Sequence, residues 1–225
     1  MDLPYALDLA GMLSTRMRSI DRSRLAEEGR LSSHPLPDTT EEDPADMALP
    51  LSRCLTGPEW HWLASCAIPI GATDDIDPGM FYRVVESSWA QRAAQRPLPY
   101  QHPSKGPYRD VMMPAPKVYP RALQWRAIGD ISAIENLLKP LRFVGRRRSV
   151  GEGAVLRWEV ESVSTKDVYS WSHVDGDTIL RPVPEQCVRV LGVGYRMGNY
   201  AVRPPSWHPD RLKDLAMTPE REEEW

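Results

Sequence analysis

Arg146, Arg147 and Arg148 stand in a row, Ser149 follows them, and Gly145, Gly151 and Gly153 bracket the set. Guanidinium forks grip phosphate oxygens two at a time, and a serine hydroxyl adds one more donor. Glycines admit positive φ and let backbone N–H groups approach an anion with no Cβ in the way. The chemistry on offer is phosphate binding. It is not that of a P-loop, because no Gly-Lys-Ser/Thr is present and the stretch follows a helical pattern and enters a strand-like one. That order is also the reverse of a dinucleotide fingerprint. Spacing alone leaves the stretch open between a phosphate cradle and a solvated basic turn.

A second set lies upstream, in the proline-rich stretch 96–120. Tyr100, His102, Tyr108 and Arg109 flank Lys105-Gly106, and Lys117 follows. Aromatic rings stack on splayed bases and cations meet phosphates, which is what single-stranded RNA recognition requires. Tyr100, His102 and Lys105 also suit a metal-independent ribonuclease, with a histidine base and a lysine against the developing phosphorane charge. No second acid or base is placed beside them, and His102 adjoins Pro103 in an irregular stretch. The plain alternative is a proline-rich connector.

Other constellations point to less. Asp74, Asp75 and Asp77 read as a solvated acidic turn, since no EF-hand pattern follows. His61, between Trp60 and Trp62, is expected to face away from both and to be a satisfied or exposed histidine rather than a ligand. His34, His173 and His208 have no cysteine or histidine at ligand spacing. Three cysteines, Cys54, Cys66 and Cys187, imply neither a disulfide framework nor a zinc site. No serine-hydrolase elbow or zinc-protease helix motif occurs. No catalytic residue, cofactor or metal is expected.

The 225 residues allow one generous domain or a domain with an appended element. An apolar fraction of 41% is enough for a core. Twenty-two prolines against 14 glycines imply short, stiffened connections. The net charge of −3 hides an asymmetry: residues 96–148 carry 11 Lys/Arg and three Asp/Glu, a surplus of eight positive charges. Such segregation favours a polyanionic partner. With no apolar run near 18 residues and no signal-like opening, a soluble cytoplasmic protein is expected.

Coarse elements follow from periodicity. Leu9, Leu13, Met17 and Ile20 recur at helical spacing, with Gly29 as a stop. Residues 60–70 and 80–89 read as strands, and 121–130 as a strand ending in a Gly-Asp turn. Asp130 is a helix N-cap before Ile131, Ile134, Leu137, Leu138 and Leu141, with Pro140 drawing the end earlier. "AVLRWEVESV" alternates as a half-buried strand, with Leu156, Trp158 and Val160 on one side. Asp175-Gly176 signals a hairpin, "CVRVLGVGYRMGNYAV" one or two strands, and "LKDLAM" a short helix before an acidic end. The order suggests an α+β fold with a ferredoxin-like βαββαβ core, a thumb-like insertion and additional C-terminal β-strands.

In that order, "FVGRRRSVGEGAVLRWEVES" closely resembles the glycine-rich loop of the CRISPR-associated RAMP superfamily. "LPYALDLAGMLS", "MALPLSRCLTGPEWHWLASCAIP", "GPYRDVMMPAPKVYPRALQWRAIGDISAIENLLK" and "YAVRPPSWHP" are similar to successive segments of its type IV backbone subunit. That is the subunit that caps the crRNA 5′ handle. The loop alone discriminates weakly within the superfamily; the combination is more specific. The resemblance implies a single RAMP-type domain over 1–215, with an insertion loop at 26–50, a thumb-like segment at 97–118, extra strands over 164–207 and an acidic tail at 216–225. It further implies a non-catalytic RNA-binding subunit of a crRNA-guided effector complex. Its partners would be the crRNA, backbone and large subunits, target DNA through the complex and a helicase. An RRM-like module outside CRISPR is the third reading, though no RNP-type aromatic motif is present.

Overall fold

The computed structural model describes residues 8–27, 47–71, 80–83, 111–114, 119–145, 151–204, 206 and 208–219. The chain divides into two compact units, Met1–Ile68 with Gln124–Trp225, and Pro69–Leu123. Both mix short antiparallel strand pairs with irregular chain, and the helices among the described residues lie in the first, so the protein is α+β.

The first unit opens on helix α1 (Leu9–Glu27). Asp8 starts it, its carboxylate accepting from the N–H groups of Ala10 and Gly11, both at 3.2 Å. Leu9, Ala10 and Leu13 are buried and Met17 is half-buried; the apolar stripe then lapses, and Ile20 is 44% exposed. Strands β1 (Arg53–Cys54) and β2 (His61–Trp62) form a hairpin with Arg53 opposite Trp62 and Cys54 opposite His61. The guanidinium of Arg53 lies over Trp60 and Trp62, and that of Arg203 over Trp60.

Helix α2 (Ile131–Leu138) begins where the sequence predicts it. Asp130 accepts from the Ala133 N–H at 2.9 Å, Ile134 and Leu138 are buried, and the helix stops two residues before Pro140. Its apolar face joins Leu9, Leu13, Leu49, Leu51, Trp62 and Ala64 in one core.

The rest of this unit builds a second core. Helix α3 (Val168–His173), capped by Asp167, runs directly into the hairpin of β7 (Val174–Asp175) and β8 (Thr178–Ile179). The tight turn is Gly176-Asp177, one residue later than the Asp-Gly signal suggests, with Gly176 at φ +57°. Helix α4 (Glu185–Arg189) follows, then β9 (Arg196–Ala201) and β10 (Leu212–Met217), paired antiparallel over their full length. Cys54, Val174, Ile179, Val183, Cys187, Val188 and Ala216 pack together.

The second unit is entered through β3 (Ile68–Ile70) and left through β6 (Ala122–Gln124), which pair, with Arg121 donating its N–H to the Ile70 carbonyl. Beyond them β4 (Met80–Arg83) pairs antiparallel with β5 (Val111–Pro114). The Lys105-Gly106 hairpin tip expected in the thumb-like segment lies outside the described residues.

Three expectations change. The stretch expected as a short helix, "LKDLAM", is a strand, with Leu215, Ala216 and Met217 buried. Pairing with β9 outweighs the helical propensity of a six-residue segment. The strand expected at 154–163 keeps one bridge, Phe143 to Ala154, and is otherwise unpaired. Trp158 and Val160 still pack on the first core, but Leu156 is 97% exposed. "VYSWSH", inside the 164–207 stretch where extra strands are implied, is a helix capped by Asp167.

Candidate nucleic-acid loop and a buried Cys–His cluster

The glycine–arginine loop hangs from a closed neck. Val144 donates its N–H to Gly153 at 2.8 Å, Val155 donates to Arg142 at 2.9 Å, and Phe143 bridges Ala154. The indole N–H of Trp158 reaches the Leu141 carbonyl at 2.9 Å, tying the returning chain to the residues that follow α2. Both ends of the loop are thus held to a capped helix and to the first core.

Gly145, Gly151 and Gly153 all take positive φ, at +89°, +82° and +72°. They do so for different reasons. A Cβ on Gly153 would run into the Val144 carbonyl oxygen, so the neck itself excludes a side chain. Around Gly151 there is open space, and only its backbone conformation asks for glycine. Arg146, Arg147, Arg148 and Ser149 lie outside the described residues. So do Tyr100, His102, Lys105, Tyr108, Arg109 and Lys117, and also Asp74, Asp75, Asp77 and His34. The structure therefore positions the frame of the loop. On the approach to it Lys139 and Arg142 are exposed.

The fold also assembles a cluster whose members stand at no ligand spacing in the sequence. Cys54 and His61 face each other across the β1–β2 hairpin, and His173 and Cys187 come from the end of α3 and from α4. The four donor atoms lie within 4.8 Å of one another, and all four residues are buried. The two Nε2 atoms are 3.1 Å apart, the two Sγ atoms 3.9 Å. The Nδ1 of His173 is 2.7 Å from the Tyr169 carbonyl, which can only accept, so the proton sits on Nδ1 and the Nε2 lone pair faces the cluster. The Tyr169 ring packs on the same imidazole, centroids 4.3 Å apart.

Burial pushes the His61 imidazole down to about 4, so it is neutral at neutral pH. The hydrogen bond from the Cys187 thiol holds Cys54 below the usual thiol range, and the same contact raises Cys187. Cys66, buried elsewhere, is raised chiefly by desolvation. The expectation that His61 is a plain satisfied or exposed histidine gives way: its ring is fully buried, and Nδ1 has no partner. The available signal was the pairing of Cys54 with His61 across a hairpin of opposed strands, hidden because its complement is more than a hundred residues away.

The family model for CRISPR type IV associated protein Csf3 matches residues 32–217. The chain belongs to this family. It is a RAMP-type, type IV CRISPR-associated subunit, as the glycine loop and its flanking segments implied. Membership implies a role in a CRISPR effector complex, alongside the other subunits of that complex. No curated protein matches the Csf3-family chain. Among the described residues no helix is long and apolar enough to cross a membrane.

Proposed function

We propose that this Csf3-family chain is a non-catalytic RNA-binding subunit that holds the 5′ handle of the guide RNA and caps the backbone filament of a type IV effector complex, near the DNA motif that flanks the target. The observation that carries the reading is the neck at Val144–Gly153, which presents a three-arginine loop from the end of a capped helix. A loop pinned at both ends keeps its cations within reach of a backbone without ordering the whole segment on binding, which lowers the entropic cost of recognition. Arg146, Arg147 and Arg148 take phosphates, and the N–H groups from Ser149 to Gly153 assist. The short strand pairs and helices α1 and α2 are parts of a ferredoxin-like RAMP fold. Tyr100, His102, Lys105, Tyr108, Arg109 and Lys117 belong to a thumb that closes over the RNA.

The test is binding of a 5′-handle RNA by the purified chain and by the assembled complex over a salt series, with the three arginines intact or replaced together by alanine. The reading expects weaker binding and a flatter salt dependence in the variant. Equal affinity and equal slope would remove the loop from the RNA path. Incubating a repeat RNA with the chain in the absence of metal tests the non-catalytic part. Specific cleavage that disappears in His102→Ala would make the chain a guide-processing ribonuclease instead.

A further inference from the structure

We infer that Cys54, His61, His173 and Cys187 are a structural zinc site that fastens the β1–β2 hairpin to the α3–α4 segment. A tetrahedral zinc with Zn–S of about 2.3 Å and Zn–N of about 2.05 Å sets S···S near 3.8 Å and N···N near 3.3 Å. The structure has 3.9 Å between the sulfurs and 3.1 Å between the Nε2 atoms. Two sulfurs and two imidazole nitrogens converging on one point, with no carboxylate among them, are a donor set for zinc rather than for a hard cation.

The surroundings agree. A ligating histidine commonly donates its other ring N–H to a backbone carbonyl, which fixes its tautomer and orientation. His173 does this to Tyr169 at 2.7 Å. The four residues are at most 4% exposed, so the site is closed, with no open position for a substrate. A closed site stabilises rather than reacts.

Two other accounts of the same atoms are separable from this one. At 3.9 Å the sulfurs are nearly twice the about 2.05 Å of a disulfide apart. A metal-free network is the other: Cys187 has a sulfur contact to the Thr56 carbonyl at 3.3 Å, and one imidazole could donate to the other. That network leaves the buried Nδ1 of His61 without a partner. Zinc leaves the same nitrogen unpaired but engages all four donors at once.

The full chain, purified under reducing conditions without chelator or added metal, should carry one zinc per chain by elemental mass spectrometry. Exchange with cobalt(II) should give the visible bands of tetrahedral cobalt together with thiolate charge-transfer absorption. Cys54→Ser and His173→Ala should each lose more than nine-tenths of the zinc, and Cys66→Ser should keep it. If the ligand variants do not fold, the zinc content and cobalt spectrum of the unaltered chain still decide. Less than a tenth of a zinc per chain with no thiolate–cobalt absorption overturns the proposal, as does zinc retained in full by a soluble Cys54→Ser. A Cys54–Cys187 disulfide found by peptide mapping of protein alkylated directly from cells also overturns it.

Discussion

Val144 donates its N–H to the Gly153 carbonyl at 2.8 Å, and its own carbonyl oxygen fills the place where a side chain on Gly153 would begin. The two residues therefore cross as bare backbone, and nothing larger than hydrogen fits at the second. This crossing, more than the glycine count, defines the loop.

Gly153→Ala should accordingly lower the thermal midpoint more than Gly151→Ala. The Gly151 change meets open space and costs about 1–2 kcal/mol for a left-handed conformation alone. The Gly153 change adds a collision that the backbone must move to relieve. Calorimetry or a thermal fluorescence scan on both variants checks this; equal shifts would mean that the neck is not closed in solution.

Replacing Arg146, Arg147 and Arg148 by alanine removes three phosphate contacts in the proposed binding mode. For single-stranded RNA each contact contributes about 0.7 to the slope of log affinity against log salt, so the slope should fall by about 2. Fluorescence anisotropy with labelled handle RNA at four or more salt concentrations measures it. A slope change near zero would send the cationic loop back to being a solvated turn.

Arg181 is 3% exposed and serves three carbonyls: Trp62 at 3.1 Å, Ala64 at 3.0 Å and Val202 at 3.2 Å. Arg181→Met should cost about 3 kcal/mol or more, because it removes a buried guanidinium's bonds to these carbonyls and leaves the Asp8 carboxylate, 3.6 Å from it, without its cation. The urea midpoint of the variant tests this. A loss below about 1 kcal/mol would show that water replaces the guanidinium there.

Asp130→Ala removes the bond to the Ala133 N–H and should destabilise the first unit by about 1 kcal/mol. Asp130→Asn or Asp130→Ser should recover most of it, since either side chain can cap. Chemical denaturation of the three variants distinguishes a cap from a mere surface carboxylate.

Short-range features were legible in the sequence. The Asp130 cap, the Ile134/Leu138 face and the Pro140 stop are written within ten residues, and local chemistry decides them. The Gly176 hairpin was visible too, displaced by one residue. The strand Leu212–Met217 was not, because its identity depends on a partner strand at Arg196–Ala201. Likewise each half of the Cys–His cluster looks ordinary by itself. Two residues from a hairpin and two from a pair of short helices become a constellation only in the folded chain. Alternation in 154–163 misled for the opposite reason: Trp158 and Val160 find apolar partners without any strand to pair with.

The cluster joins positions separated by 112 and 133 residues, and Arg181 reaches back 117 and 119 residues to Ala64 and Trp62. During synthesis, the hairpin at Cys54–His61 must therefore wait until more than half of the chain has left the ribosome before its contacts can close. Long-range closure of this kind is slow, and apolar surface such as Leu63, which packs on the second core, stays uncovered meanwhile. Between the translation of Leu63 and that of Cys187, that face of the nascent chain has no second core to pack on.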